Sequence, residues 1–292
     1  MDNINYIDRK TNKIKIEKVP GENYLKFLYN NPFGKLPLNA LIKRKFISKK
    51  YGKLMNKPKS KEKIIPFIKE NNINMDESNL QVSKFETFNK FFYRKLTPQA
   101  RPIETGIVSP ADGKIIAFEN VNKIKTFFIK GHKFSLKDFL QSKELANKYK
   151  NASLIIVRLA PRDYHRFHFP CSGTISQTNK INGKYYSVSP YAIKKNIRIF
   201  CENKREYSQL QTKKSGNIII SEIGATLVGK IIQTYKPNTN VKKGEEKGYF
   251  AFGGSTVLML IQSSKIKIDK DILKNTKKGL ETSIKMGEKI GI

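Results

Sequence analysis

Gly248-Tyr249-Phe250-Ala251-Phe252-Gly253-Gly254-Ser255-Thr256-Val257-Leu258-Met259-Leu260-Ile261-Gln262-Ser263-Ser264 is the longest uncharged, apolar-leaning run in the chain. It is shorter than the roughly 20 residues a helix needs to span a bilayer, and Gly253, Gly254 and Ser255 interrupt its middle. Residues 256–262 read instead as a strand, headed by a Gly-Gly-Ser turn. Comparable runs of β-branched and aromatic residues occur at 114–118, 154–159, 217–220 and 228–234. Gly-containing turns separate many of them and no long helical pattern alternates with them, which disfavours a parallel doubly wound sheet. The expected fold is α+β, with a β-dominated catalytic domain over 105–292 preceded by N-terminal helices over 1–104.

In that N-terminal third, Leu38, Leu41, Ile42 and Phe46 recur at helical spacing after Pro37, among Lys43, Arg44, Lys45, Lys49, Lys50 and Lys53. Such a basic amphipathic helix lies in a membrane interface or packs its apolar stripe on its own domain. A second helix is expected to begin at Ser83, which has capping-box spacing to Glu86 ahead of Phe88, Phe91 and Phe92. Thr97-Pro98 and Arg101-Pro102 end it and mark the boundary.

Among 292 residues, 57 Lys+Arg against 24 Asp+Glu give a net charge of +33, and 38% of residues are hydrophobic. That apolar content is enough for a packed core and argues against wholesale disorder. The charge suits a polyanion, either nucleic acid or anionic lipid, or reflects a chain biased towards Lys, Ile and Asn. Cys171 and Cys201 are too far apart for a Cys-x-x-Cys motif and fit a reducing compartment. The opening Met1-Asp2-Asn3-Ile4-Asn5 has no signal-peptide pattern, so a cytoplasmic location, free or on a membrane surface, is expected.

Three histidines are present, His132, His165 and His168, and two fall within Pro161-Arg162-Asp163-Tyr164-His165-Arg166-Phe167-His168-Phe169-Pro170. If Pro161 starts a helical turn, their spacing of three puts both imidazoles on one side, whereas a strand sends them to opposite faces. No Glu or Cys at metal-binding spacing accompanies them, so no metal is expected. Ser109-Pro110-Ala111-Asp112-Gly113-Lys114 is a turn with one carboxylate before a strand, which alone is ordinary turn chemistry. In Phe252-Gly253-Gly254-Ser255-Thr256-Val257, two glycines clear the approach of Ser255 to the Gly254 carbonyl, although a tight turn needs the same residues. Asp112, His168 and Ser255 together are the set for an activated hydroxyl nucleophile. The Gly-x-Ser-x-Gly elbow of α/β-hydrolases is missing.

These segments, with Phe88-Asn89-Lys90-Phe91-Phe92-Tyr93-Arg94-Lys95-Leu96, Lys130-Gly131-His132, Tyr186-Ser187-Val188, Ile223-Gly224-Ala225, Val228-Gly229, Gly244-Glu245-Glu246 and Met286-Gly287-Glu288, resemble the pyruvoyl-dependent phosphatidylserine decarboxylases over roughly 85–292. The Gly-Gly-Ser-Thr form here differs from the Leu-Gly-Ser-Thr form also found in that family. The resemblance implies self-cleavage between Gly254 and Ser255 into a β chain of 1–254 and an α chain of 255–292. It implies His168 as base, Asp112 orienting it, and Ser255 converted to a covalent pyruvoyl group that forms a Schiff base with phosphatidylserine and releases CO2. His165 then serves proton transfer to the product carbon.

The resemblance also implies a peripheral position on the cytoplasmic side of the cell membrane and makes a homodimer plausible; the apolar spacing and charge of residues 24–53 make that segment the expected contact to anionic lipid. No nucleic-acid partner is expected, since no RNP, zinc-finger or helix-turn-helix pattern is present. The competing readings are a Ser-His-Asp hydrolase that does not cleave itself and a basic polyanion-binding protein.

Overall fold

The computed structural model describes residues 4–17, 52–126, 134–225, 230–251, 253 and 255–292. The amphipathic segment 38–46, all but the last two residues of 24–53, His132 and Gly254 lie outside the described residues.

In chain order the strands are β1 (Asn5–Asp8), β2 (Lys13–Ile16), β3 (Ile107–Val108), β4 (Gly113–Phe118), β5 (Ser153–Leu159), β6 (Arg166–His168), β7 (Gly173–Ile175) and β8 (Asn179–Ile181). They continue as β9 (Arg205–Gln211), β10 (Asn217–Gly224), β11 (Ile231–Gln233), β12 (Thr239–Val241), β13 (Glu246–Phe250), β14 (Ser255–Ile261), β15 (Glu281–Ile284) and β16 (Lys289–Gly291). One large sheet runs β12-β7-β9-β10-β14-β5-β4-β15-β1-β2, with β8 also on β9. Its pairings are antiparallel except that of β1 with β15. A three-stranded sheet, β11-β13-β6, and the pair β16-β3 complete the β structure.

The apolar run of the opening sequence is β14, and its position explains its composition. It sits between β10 and β5, and all seven of its residues are buried. Alternate side chains enter different cores: Leu258 and Leu260 join Ile156, Ile219 and Phe200, while Val257, Met259 and Ile261 join Phe167, Phe169 and Phe250. A strand covered on both faces has no polar side to show, so it reads as a continuous apolar run. A third cluster, Met55, Ile64, Phe85, Phe88, Phe91 and Phe92, belongs to the N-terminal helices.

Two local expectations are corrected. The chain opens with the β1–β2 hairpin on the edge of the main sheet, not with helix. The helix of the Phe-rich motif spans Phe88–Phe92 and does not start at Ser83. Phe85 is extended (φ −78°, ψ 121°), which stops the short 3-10 turn Val82–Lys84. Thr87 then caps the helix by accepting the Lys90 amide at 3.2 Å.

Candidate active site

Three connections bring the chemistry-bearing segments to one end of the main sheet. Ser255 is the first residue of β14 and lies opposite Leu159 of β5 and Gly224 of β10. The chain leaves β5 through Ala160, whose amide donates to Asp163 Oδ2 at 2.7 Å, and reaches His165 two residues later. The Phe250 amide donates to the His165 carbonyl at 2.9 Å, so the histidine segment lies beside the chain that runs on to Gly253 and Ser255. The His168 amide in turn donates to the Pro110 carbonyl at 2.8 Å, tying the Asp112 turn to β6.

Glycine is required at two of these places. A Cβ on Gly113 would sit 2.3 Å from the Arg158 carbonyl, where the turn enters β4 beside β5. Gly253 has φ +133°, a backbone conformation that residues with a Cβ rarely adopt.

Four of the eight buried side-chain polar atoms without a hydrogen-bond partner among the described residues gather at this end; the others are on Arg94, Tyr149, Ser189 and Ser208. Ser255 Oγ, Thr256 Oγ1, His165 Nε2 and His168 Nδ1 are all buried and have no hydrogen-bond partner among the described residues. His165 Nδ1 lies 2.8 Å from the Asp163 carbonyl, which can only accept, so Nδ1 carries the proton and Nε2 of the neutral ring is a free lone pair. Burial lowers the His165 pKa to about 4, against the upward pull of the Asp163 carbonyl and, more weakly, of the Gly253 backbone. Burial likewise lowers His168 to about 4. Both imidazoles are therefore unprotonated at neutral pH, the form a general base needs. The rings are held by aromatic neighbours, His165 by Phe92 at 4.0 Å between centroids and His168 by Tyr164 at 5.7 Å.

The spacing of the two histidines resolves towards strand, because Arg166–His168 is β6 and His165 directly precedes it. Phe167 packs into the core shared with Val257 and Met259, so the strand alternation turns His168 the other way.

Asp112 is buried, and its carboxylate is engaged by partners that sequence reading did not find. Arg101 donates through Nε to Oδ1 at 2.9 Å and through Nη2 to Oδ2 at 2.6 Å, and the Met286 amide donates to Oδ1 at 2.8 Å. Arg101 also reaches Glu77 at 2.9 Å. Burial pushes the Asp112 carboxyl above the ordinary carboxylate range, while Arg101 and the Met286 amide draw it back. The structure thus places Asp112 and His168 on hydrogen-bonded segments, with the Asp112 oxygens on Arg101 and Met286 and not on the imidazole.

The family model for phosphatidylserine decarboxylase matches residues 88–292, which contain every one of these groups except Glu77. The chain belongs to the phosphatidylserine decarboxylase family. It is 58% identical to the phosphatidylserine decarboxylase proenzyme of Fusobacterium nucleatum subsp. nucleatum, over 99% of this chain and 98% of the relative. The proenzymes of Clostridium novyi and Clostridium botulinum are 48% and 49% identical, each over 99% of both chains. Membership makes the chain a carboxy-lyase and gives the shared motifs a structural reading.

Met286-Gly287-Glu288 grips the Asp112 turn from outside. The Met286 amide reaches Asp112, the Gly287 amide donates to the Ser109 carbonyl at 3.1 Å, and the Glu288 carbonyl accepts the Ser109 amide at 2.8 Å. The Phe88–Phe92 helix and the residues after it form the other wall: Phe92 lies on His165, and the Tyr93 carbonyl accepts Arg166 Nε at 2.9 Å. Arg101 was visible in the sequence only as the residue before Pro102, a boundary signal.

Proposed function

We propose that the chain is a self-cleaving phosphatidylserine decarboxylase whose prosthetic group is made from Ser255. The observation that carries this reading is the buried, unpartnered Ser255 Oγ at the head of β14, on the same end of the sheet as two neutral imidazoles. The carbonyl preceding Ser255, that of Gly254, is one residue away in sequence.

In the proposed processing, His168 takes the Ser255 hydroxyl proton and Oγ attacks the Gly254 carbonyl carbon, so that the peptide bond is exchanged for an ester. Loss of the Ser255 α-proton then expels the Gly254 carboxylate as the C-terminus of residues 1–254. Hydrolysis by one water releases ammonia and leaves the pyruvoyl group on residue 255. Asp112, locked by Arg101 and Met286, fixes the turn whose Pro110 carbonyl holds the His168 backbone.

The residues fit such a group: Gly253 supplies the backbone freedom and the unpartnered Oγ supplies the atom to be converted. A pyruvoyl group at residue 255 would supply a carbonyl to which the substrate amine could be joined and an electron sink for the loss of CO2. His165, with Nδ1 on the Asp163 carbonyl and Nε2 free, is assigned to hold and return the proton at the product carbon. Burial, beside Phe92 and Tyr164, keeps both histidines neutral.

The membrane is the source of substrate, and the net charge of +33 supports attraction to its anionic surface. No helix among the described residues is long and apolar enough to cross a membrane.

The test is CO2 release from phosphatidylserine vesicles labelled at the serine carboxylate, with wild type, His168→Ala and His165→Ala. The proposal expects wild type to release CO2, His168→Ala to remain uncleaved, and His165→Ala to cleave but turn over poorly. Cleavage and turnover by His168→Ala at the wild-type rate would remove His168 from its role.

A further inference from the structure

Buried cations in this protein are matched almost without exception. Arg101 faces Asp112 and Glu77, Arg158 faces Glu17 and Glu281, and Arg166 faces Glu246. Lys114 lies 3.5 Å from Asp163, and Lys247 lies 2.8 Å from Glu222. Arg205 has no carboxylate but donates to the carbonyls of Phe139, Cys201, Asn203 and Asp138.

Arg94 is the exception among the described residues. It is 7% exposed, its Nε is buried with no hydrogen-bond partner, and its one close partner is the face of Phe91, 5.1 Å from the guanidinium carbon. A guanidinium stays charged in proteins, and a buried charge without a counter-ion is destabilising. A fold retains such a group at a site where a ligand brings the missing anion.

The position of Arg94 says which site. It follows Phe92, which lies on His165, and Tyr93, whose carbonyl holds Arg166. Its charge is felt at the His165 imidazole, and Asp112, Arg101, Glu77 and Tyr164 act on it in return, at a distance and without a hydrogen bond or ion pair to it.

We propose that Arg94 binds the phosphodiester of the phospholipid headgroup and so places the serine end of the substrate beside His165. This rests on the decarboxylase reading above. The substrate offers two anions, and the reaction distinguishes between them. Its carboxylate loses charge as it becomes CO2, so a guanidinium paired with it would stabilise the ground state more than the transition state and slow the step. The phosphodiester keeps its charge throughout, and its oxygens suit the planar donor fork of arginine.

The experiment compares wild type, Arg94→Met and Arg94→Lys in detergent micelles, reading cleavage, Tm, KM for phosphatidylserine and inhibition by phosphatidylethanolamine. That inhibitor carries the phosphodiester and no carboxylate. Arg94→Met is expected to cleave and to keep or raise its Tm, because an unpaired buried charge is gone. Its KM and the inhibition constant for phosphatidylethanolamine should both rise, by about tenfold or more for a lost charge-assisted contact, with Arg94→Lys intermediate.

A rise in KM with unchanged inhibition would assign Arg94 to the carboxylate and overturn the proposal. So would a fall in Tm or a failure to fold in Arg94→Met, which would make the residue structural, and so would unchanged affinity in both variants. A wild-type protein that releases no CO2 would instead refute the decarboxylase reading itself.

Discussion

Two buried polar regions of this protein are built on opposite terms. Between β4, β5, β15 and the segment after β2, Arg158 donates to Glu281 at 3.0 Å and to Glu17 at 3.2 Å, with Lys114 close by, and every charge has its opposite. At the end of β14, Ser255, Thr256, His165 and His168 each bury a polar atom that has no hydrogen-bond partner among the described residues. The first arrangement holds strands together; the second adds no hydrogen bonds through these atoms among the described residues, and on the reading proposed above they are the reacting ones. Removing an atom from the first should therefore cost folding and leave the chemistry intact in whatever folds, while the second should behave in reverse.

The largest effect expected from that contrast is Ser255→Ala, which should abolish cleavage completely without lowering Tm, since the lost hydroxyl has no hydrogen-bond partner among the described residues. Band pattern on a denaturing gel and a thermal melt check both halves. Next comes Arg158→Met, which strands two buried carboxylates and should lose about 3–5 kcal/mol by urea unfolding. Measured in the uncleavable Ser255→Ala chain, the loss is read on a single polypeptide.

Acid gives the third test. Each imidazole binds its proton near pH 6.5 when unfolded and near pH 4 when folded, so the unfolded chain takes up protons first. Stability contributed by the neutral histidines is complete above about pH 6.5 and is lost as pH falls towards 4, by roughly 3 kcal/mol for each ring. Replacing both by Asn in the Ser255→Ala chain should flatten that part of the curve. The smallest effect is Thr87→Ala, which should cost about 1 kcal/mol through loss of the cap on the helix that carries Phe92 to His165.

After residue 105, β4, β5, β10 and β14 were legible as β-branched and apolar runs, because burial of all or nearly all their residues writes that composition into the sequence; β9, central in the same sheet, was not, since its Arg, Glu, Ser and Gln residues make no such run. The β1–β2 hairpin was not, since β2 is a lysine-alternating strand on the sheet edge with every residue exposed. Ser255, His165, His168 and Asp112 could be picked out by residue type and scarcity. Their surroundings could not: Arg101 and the Met286 amide meet Asp112 from 11 and 174 residues away, and only the fold makes them neighbours. The cap shifted from Ser83 to Thr87 because Phe85 turns into the N-terminal core with an extended backbone.

The central claim is that the buried hydroxyl of Ser255 converts the chain into two. An intact-mass spectrum of purified protein under denaturing conditions, beside Ser255→Ala, tests it directly. The account predicts a break after Gly254 in the wild type, with residues 255–292 lacking the elements of ammonia relative to the plain peptide, and one unbroken chain in the variant. A wild-type spectrum showing only the unbroken chain, identical to the variant apart from one oxygen, would contradict it.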